Sequence, residues 1–165
     1  MIGSTKTLST ISLTSSTSNY RGFVFKDGDT IYSATYTSTS VWNTPTVKRY
    51  NATTGSYINA SSVGTCPGYS QPLYTTYDAT SDGNGNVWTV SYNYRILVEW
   101  DVSESGVWTC MGTHSFSNYP VGVDIDEETG RMFVLLYQSS FPNYNRYLYE
   151  VNPSNPSQVL SLIHI

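Results

Sequence analysis

The side chains that could do chemistry in this chain are, first, carboxylates gathered at two Gly-containing turns. Oxygen ligands around such a turn are what calcium prefers. The segment Thr80–Gly85 nevertheless lacks the first Asp and the bidentate Glu of an EF-hand loop, and Asp and Asn side chains commonly satisfy backbone groups in turns. The turn interpretation is therefore favoured over a calcium site, and we expect no metal and no cofactor. The carboxylates concerned are Asp78, Asp82, Asp124, Asp126, Glu127 and Glu128.

Nucleophilic catalysis finds little support in the sequence. There is no Gly-x-Ser-x-Gly motif, and no serine has a local context that would activate it. His114 is the only histidine with a credible context, because residues 160–165 match the translation of a sequencing adapter and we expect them to be read-through. The sequence therefore predicts no catalytic residue, and it leaves open whether the whole protein is an enzyme.

Two cysteines occur in similar surroundings. Cys66 and Cys110 each sit in a Thr-Cys-x-Gly motif, with no Cys-x-x-Cys or Cys/His metal spacing. If they occupy equivalent positions of successive repeats, their Cα atoms lie beyond the roughly 7 Å limit for a disulfide. We expect two free, buried thiols.

Aromatic and polar residues outside the predicted strands are the candidate ligand-binding residues. Tyr and Trp combine a rigid ring with a polar atom and are enriched where proteins bind others. The alternative is that individual rings pack under their own loops. The candidate set is Trp42, Asn43, Tyr92, Tyr94, Arg95, His114, Tyr119, Phe141, Asn143 and Tyr144.

The elements that must position these residues recur three times. A short β-run and a turn precede a second run that ends in Tyr36, Tyr92 or Tyr137, and a third run follows. Repeats of about 20–50 residues are typical of solenoids and propellers, and four short strands make one propeller blade. No stretch has a sustained helical period. The alternative all-β architecture is a β-sandwich, but the internal similarity favours the propeller.

The Gly-containing turns and the apolar second runs are those expected of propeller blades. Asp-Gly and Asn-Gly occur at the first two hairpins, where Gly supplies the positive φ. The second runs are largely apolar because neighbouring blades would cover both faces. We expect Trp88 and Phe133 to fill the space between blades.

The segments Tyr119–Val134 and Ser81–Trp88 resemble six-bladed propellers of the NHL-repeat family and of the gluconolactonase- and strictosidine-synthase-like enzymes. The resemblance spans residues 20 to 160. It implies an all-β fold: a propeller fragment of three four-stranded antiparallel blades in an open arc, part of a ring of about six. The expected divisions are residues 1–19, a partial outer strand or Ser/Thr-rich segment; 20–62, blade 1; 63–112, blade 2; 113–159, blade 3; and 160–165, the adapter.

The net charge and the low content of charged residues argue against a nucleic-acid-binding function. The net charge is −4 and only 12% of residues are charged, so no basic stripe is available for nucleic acid. No apolar run approaches the roughly 18 residues of a membrane span. We expect a secreted or cell-surface recognition or scaffold propeller that binds a glycan or a protein through its aromatic loops. The remaining blades would be its other partner. The alternative is a propeller hydrolase or lyase, lactonase-like, whose active-site residues lie largely in other blades.

Overall fold

Strands and turns make up the described part of the chain, and no helix occurs there, as the sequence predicts. None of the described residues forms a helix that is long and apolar enough to cross a membrane. The computed structural model describes residues 23–35, 46–70, 73, 76–104, 106–126, 128–140 and 143–164. The predicted segment 1–19 lies outside the described residues.

Thirteen described strands form three curled sheets in chain order, which confirms an all-β, propeller-like arrangement of three blades. Blade 1 has the order β1-β2-β3-β4, with strands Val24–Asp27, Thr30–Thr35, Thr46–Asn51 and Tyr57–Ala60. Blade 2 has the order β5-β9-β8-β7-β6, with strands Ser62–Val63, Thr76–Ser81, Asn86–Ser91, Ile96–Asp101 and Val107–Ser115. Blade 3 has the order β10-β11-β12-β13, with strands Tyr119–Asp126, Arg131–Ser140, Asn143–Asn152 and Asn155–His164.

Blade 2 departs from the predicted four antiparallel strands. Its fifth strand, β5, runs parallel to the outer strand β9, pairing Ser62 with Val107 and Val63 with Trp108. The chain therefore leaves blade 1 along the outer edge of blade 2. Gly64 is required on this path, because a Cβ there would lie 2.8 Å from the Trp108 carbonyl oxygen.

This crossover explains why the prediction of two free thiols is wrong. Cys66 follows β5, and Cys110 lies on β9, so the two are neighbours on adjacent stretches rather than equivalent positions one blade apart. Their Cα atoms are 5.4 Å apart and the sulfurs form a disulfide. No free cysteine occurs in the described part of the chain.

The core between blades 1 and 2 is built around Trp108, which is fully buried. Its ring lies 5.6 Å from that of Trp100, 5.7 Å from that of Tyr32 and 5.9 Å from that of Phe25. Aromatic pairs at these separations add to the free energy gained by burial. This core holds the two blades together.

A second core lies between blades 2 and 3. Trp88 is buried there with Val90, against Met132, Val134 and other apolar residues of blade 3. The prediction for Trp88 is therefore confirmed. Phe133 is half-buried and alternates with Met132 and Val134 along β11, so it lies on the opposite face of blade 3.

The first strands of the blades are also joined by side-chain hydrogen bonds. In blade 2, Asp78 Oδ2 accepts from the Val123 backbone N–H of blade 3 at 3.1 Å. Asp27 Oδ1 of blade 1 accepts from the Gly85 N–H at 3.0 Å. Gly85 has φ of +94°, and a Cβ there would lie within 3.2 Å of Ser103. Blade-to-blade geometry is thus fixed at the turns as well as in the cores.

Candidate aromatic binding site

Three tyrosines and one arginine form a continuous stack across the seam between blades 2 and 3, which we call the tyrosine row. The ring centroids of Tyr77 and Tyr92 are 5.0 Å apart, and those of Tyr92 and Tyr119 are 4.5 Å apart. The Arg95 guanidinium carbon lies 4.2 Å from the Tyr119 ring centroid. Four side chains from two blades therefore form a single aromatic and cationic surface.

Strand ends and one turn place the tyrosine row. Tyr77 lies near the start of β6, and Tyr119 is the first residue of β10, so both belong to the first strands of their blades. Tyr92 and Arg95 belong to the turn between β7 and β8, which closes with a hydrogen bond from Arg95 N–H to the Tyr92 carbonyl oxygen at 3.2 Å. The beginnings of first strands and this turn consequently meet at one end of the blades.

Arg95 has the only positive φ among non-Gly residues of the described chain, at 55°. Such a backbone conformation costs free energy for a residue with a Cβ, and it persists where the surroundings fix it. Here the Arg95 carbonyl oxygen accepts from the Phe116 N–H at 2.8 Å. The guanidinium donates to the Ser117 carbonyl oxygen at 3.2 Å and to the Tyr119 hydroxyl at 2.6 Å. These contacts hold the arginine against Tyr119.

Exposure differs along the tyrosine row. Tyr92 and Tyr119 are half-buried, because each ring has a neighbour on both sides, whereas Tyr77 is 43% exposed. Tyr94 projects from the same turn, is 36% exposed, and contacts Tyr69 edge-on at 5.1 Å. Tyr77 and Tyr94 therefore offer ring surface to a ligand, and Tyr92 and Tyr119 offer edges and hydroxyls.

The Tyr92 hydroxyl is protonated at neutral pH, because its pKa is raised from the ordinary value. Burial raises the pKa of Tyr92, and the neighbouring phenols Tyr77, Tyr119 and Tyr137 raise it further, while the positive charge of Arg95 opposes the shift. A protonated phenol both donates and accepts a hydrogen bond. The site can therefore bind polar groups.

His114 does not lie in a loop as predicted. It belongs to the strand β9, and its Nε2 lies 3.9 Å from Glu99 Oε2. Burial lowers the pKa of His114, although the Glu99 carboxylate opposes this. The imidazole is therefore neutral at pH 7 and faces a carboxylate rather than the tyrosine row.

The structure thus brings together four of the predicted residues: Tyr92, Tyr94, Arg95 and Tyr119. Trp42, Asn43 and Phe141 lie outside the described residues. Asn143 and Tyr144 are the first residues of β12 instead of loop residues, and their side chains also lie outside what is described. Tyr77 was not among the candidate binding residues, because only residues outside the predicted strands were counted. In the structure Thr76 is buried and Tyr77 is exposed, which is the alternation of neighbouring side chains along a strand.

In the two acidic turns, the Asp82 and Asp126 carboxylates accept hydrogen bonds from groups of the same turn. Asp82 Oδ1 accepts from the Asn84 N–H at 2.8 Å and the Asn86 N–H at 3.2 Å. Asp126 Oδ1 accepts from the Glu128 N–H at 3.0 Å, and Oδ2 accepts from the Thr129 hydroxyl at 2.6 Å. Glu127 lies outside the described residues. Among those described, no group of three or more His, Cys, Asp or Glu side chains is arranged to hold a metal ion.

No family model and no curated protein matches the chain, so membership of the NHL-repeat family is not shown. Solved structures do match. A protein of unknown function from Bacteroides caccae is 10% identical, with a TM-score of 0.53 over 81% of this chain and 41% of its own. Hydrazine synthase from Kuenenia stuttgartiensis is 14% identical, with a TM-score of 0.54 over 87% of this chain and 36% of its own.

The third similar structure is the exo-β-1,3-galactanase of Phanerochaete chrysosporium, solved with β-1,3-galactotriose. It is 13% identical to this chain, with a TM-score of 0.58 over 94% of this chain and 41% of its own. The chain thus spans about two fifths of the length of each of these structures. At such identities the likeness concerns the fold alone, and it supports an all-β, propeller-like architecture.

Proposed function

We propose that this chain belongs to a non-catalytic recognition propeller and that the tyrosine row, with Tyr94 beside it, binds a carbohydrate or a protein. The observation that carries the proposal is the stack of Tyr77, Tyr92 and Tyr119 across two blades. Tyrosines are amphipathic and lose little conformational entropy on binding, which favours them in recognition surfaces. Their rings suit the apolar face of a sugar or a peptide side chain.

The structural hydrogen bonds that the described carboxylates accept favour a binding function over a catalytic one. Asp78, whose pKa is raised by burial, accepts from the Ala79 and Val123 backbone N–H groups, so both its oxygens are engaged in structure. Asp82 and Asp126 are engaged in their own turns. The hydrolase or lyase alternative therefore gains no support from these residues. The disulfide supports a secreted or cell-surface location, since such bonds persist in oxidising compartments.

The test is binding of the full 165-residue chain to an array that displays oligosaccharides and extracellular proteins. Replacing Tyr77 and Tyr94 together by Ala should weaken binding to the strongest ligand by more than about tenfold, because aromatic anchors commonly contribute over 1–2 kcal/mol. Tyr57→Ala is the matched control, since Tyr57 is 49% exposed but lies on β4 of blade 1.

The proposal fails if the double variant binds as well as the unmodified chain, or if Tyr57→Ala weakens binding as much as the double variant does. It also fails if the double variant loses its fold, which far-UV circular dichroism and the denaturation midpoint would reveal. The rings would then be packing residues of the blade seam.

A further inference from the structure

Arg95 is an exposed cation without an acidic partner in the part of the chain that the structure describes. The ion pair found there between an arginine and a carboxylate joins Arg131 to Glu150. A guanidinium has five N–H donors, and Arg95 uses one toward the Ser117 carbonyl oxygen and one toward the Tyr119 hydroxyl. Within the described residues, three donors of the guanidinium and its positive charge are therefore available to a ligand.

The guanidinium is also held in place before any ligand arrives. It is stacked on Tyr119 at 4.2 Å, and its backbone is fixed by the bond from Phe116 N–H to the Arg95 carbonyl oxygen. Ordering a free arginine on binding costs conformational free energy, and a pre-ordered side chain avoids most of that cost. This is the arrangement expected of a binding residue rather than of a solvated surface charge.

The ligand group that fits this arginine is a carboxylate. Its two oxygens match the planar donor pair of a guanidinium. The Arg95 guanidinium carries one positive charge, and the chain as a whole has a net charge of −4. A ligand with one negative charge therefore fits this site better than a series of phosphates or sulfates. The exposed ring surfaces of Tyr77 and Tyr94 suit a sugar, whose C–H face stacks on an aromatic ring while its hydroxyls form hydrogen bonds.

We propose that the tyrosine row selects a glycan that carries a uronic acid, with the carboxylate bound by Arg95 and the sugar rings placed on Tyr77 and Tyr94. This inference rests on the proposed recognition function and specifies its ligand. It assigns Arg95 the role of a specificity-determining residue, and it makes binding dependent on ionic strength because the charge pair is exposed.

The experiment uses an array of oligosaccharides printed as pairs that differ by one carboxyl group, glucose against glucuronate and galactose against galacturonate at the same position. The strongest pair is then titrated against the full chain by calorimetry. We expect the acidic member to bind about tenfold more tightly, which corresponds to about 1.4 kcal/mol, because its carboxylate forms a charge-assisted hydrogen bond with an exposed guanidinium. Raising the salt concentration should reduce that preference.

Arg95→Gln should abolish the preference, so that the acidic and the neutral member of the pair bind the variant equally, and any loss of affinity that comes from the lost Tyr119 contact should be shared by both. Arg131→Gln is the matched control, because Arg131 is equally a surface arginine but is paired with Glu150 at 2.7 Å. Arg131→Gln should keep the preference intact.

The outcomes separate this inference from the recognition function on which it rests. Equal binding of neutral and acidic sugars, or a preference that survives Arg95→Gln, overturns the role of Arg95 and leaves Tyr-dependent recognition standing. Binding of an acidic peptide or protein in place of every sugar also overturns it. Absence of any ligand that depends on Tyr77 and Tyr94 overturns both.

Discussion

The rings of Tyr92 and Tyr119 stack with their planes 22° from parallel, although Tyr92 belongs to blade 2 and Tyr119 to blade 3. The candidate site therefore crosses a seam, and its geometry depends on how the two blades are held against each other. That relative placement comes from the apolar core around Trp88, from the Asp78 carboxylate on the Val123 N–H, and from the Arg95 contacts. Changes to any of these should alter binding as well as stability.

The first prediction concerns the disulfide. Replacing Cys66 and Cys110 by Ser should lower the free energy of unfolding by about 4 kcal/mol, because a closed loop of this length restricts the unfolded chain by roughly that amount. Urea denaturation of the unmodified chain with and without dithiothreitol measures the same quantity. The Ser variant itself is the control, since reductant should leave its midpoint unchanged. A loss below about 1 kcal/mol would contradict the prediction.

The second prediction concerns the pH dependence contributed by Asp78. Burial raises its pKa in the folded state, so the folded chain binds this proton more tightly than the unfolded chain does. The contribution to stability is then fully present below the unfolded value of about 3.8 and is lost as the pH rises through the folded pKa. Relative to Asp78→Asn, the unmodified chain should lose stability between about pH 4 and pH 7, measured by urea denaturation.

Asp126→Asn is the control for this measurement. Hydrogen bonds from Thr129 and Glu128 lower the pKa of Asp126, so its contribution is lost only as the pH falls below about 3.8. The difference between Asp126→Asn and the unmodified chain should consequently be constant between about pH 4 and pH 7. A slope of the same sign in both variants would show that the effect does not come from the Asp78 environment.

Much of the architecture could be predicted because it is local. The recurrent runs gave the strand order, and the apolar Val87–Val90 segment indicated a strand covered on both faces. The parallel strand β5 could not be predicted, since Ser62 and Val63 form only two residues of pairing and their partner lies over forty residues away. The disulfide was missed for the same reason. It depends on the crossover path, which no periodic pattern encodes.

The candidate site could be predicted in part. Arg95 and Tyr92 were identified because they follow an apolar run in a turn, where variable side chains are exposed. Their contact with Tyr119 depends on the packing of blade 2 against blade 3, which is a tertiary relationship. His114 was placed in a loop because its strand β9 extends to Ser115, well beyond the apolar segment at Val107 and Trp108.

The third prediction concerns calcium. The Asp82 oxygens accept from Asn84 and Asn86, and those of Asp126 accept from Glu128 and Thr129, while no group of three or more described His, Cys, Asp or Glu side chains is arranged around one point. We expect the thermal melting temperature to be the same in about 1 mM calcium and in chelator, because a ligand stabilises only when the native state has a site for it. Magnesium at the same concentration controls for ionic strength. A clear rise that is specific to calcium would identify these turns as a metal site.

The last prediction concerns His114. Partial burial lowers its pKa below 6.5, and the nearby Glu99 carboxylate only partly offsets the shift. A group with a lowered folded pKa and a positive charged form contributes stability that is fully present above the unfolded pKa and is lost as the pH falls through the folded value. Relative to His114→Gln, the unmodified chain should therefore lose stability as the pH falls from about 7 to about 5, opposite in sign to the Asp78 effect.

Glu99→Gln removes the opposing charge, so an NMR titration of the imidazole in that variant should give a still lower pKa. An imidazole that titrates above 6.5, or a His114→Gln variant with the same slope as the unmodified chain, would contradict the partial burial of His114.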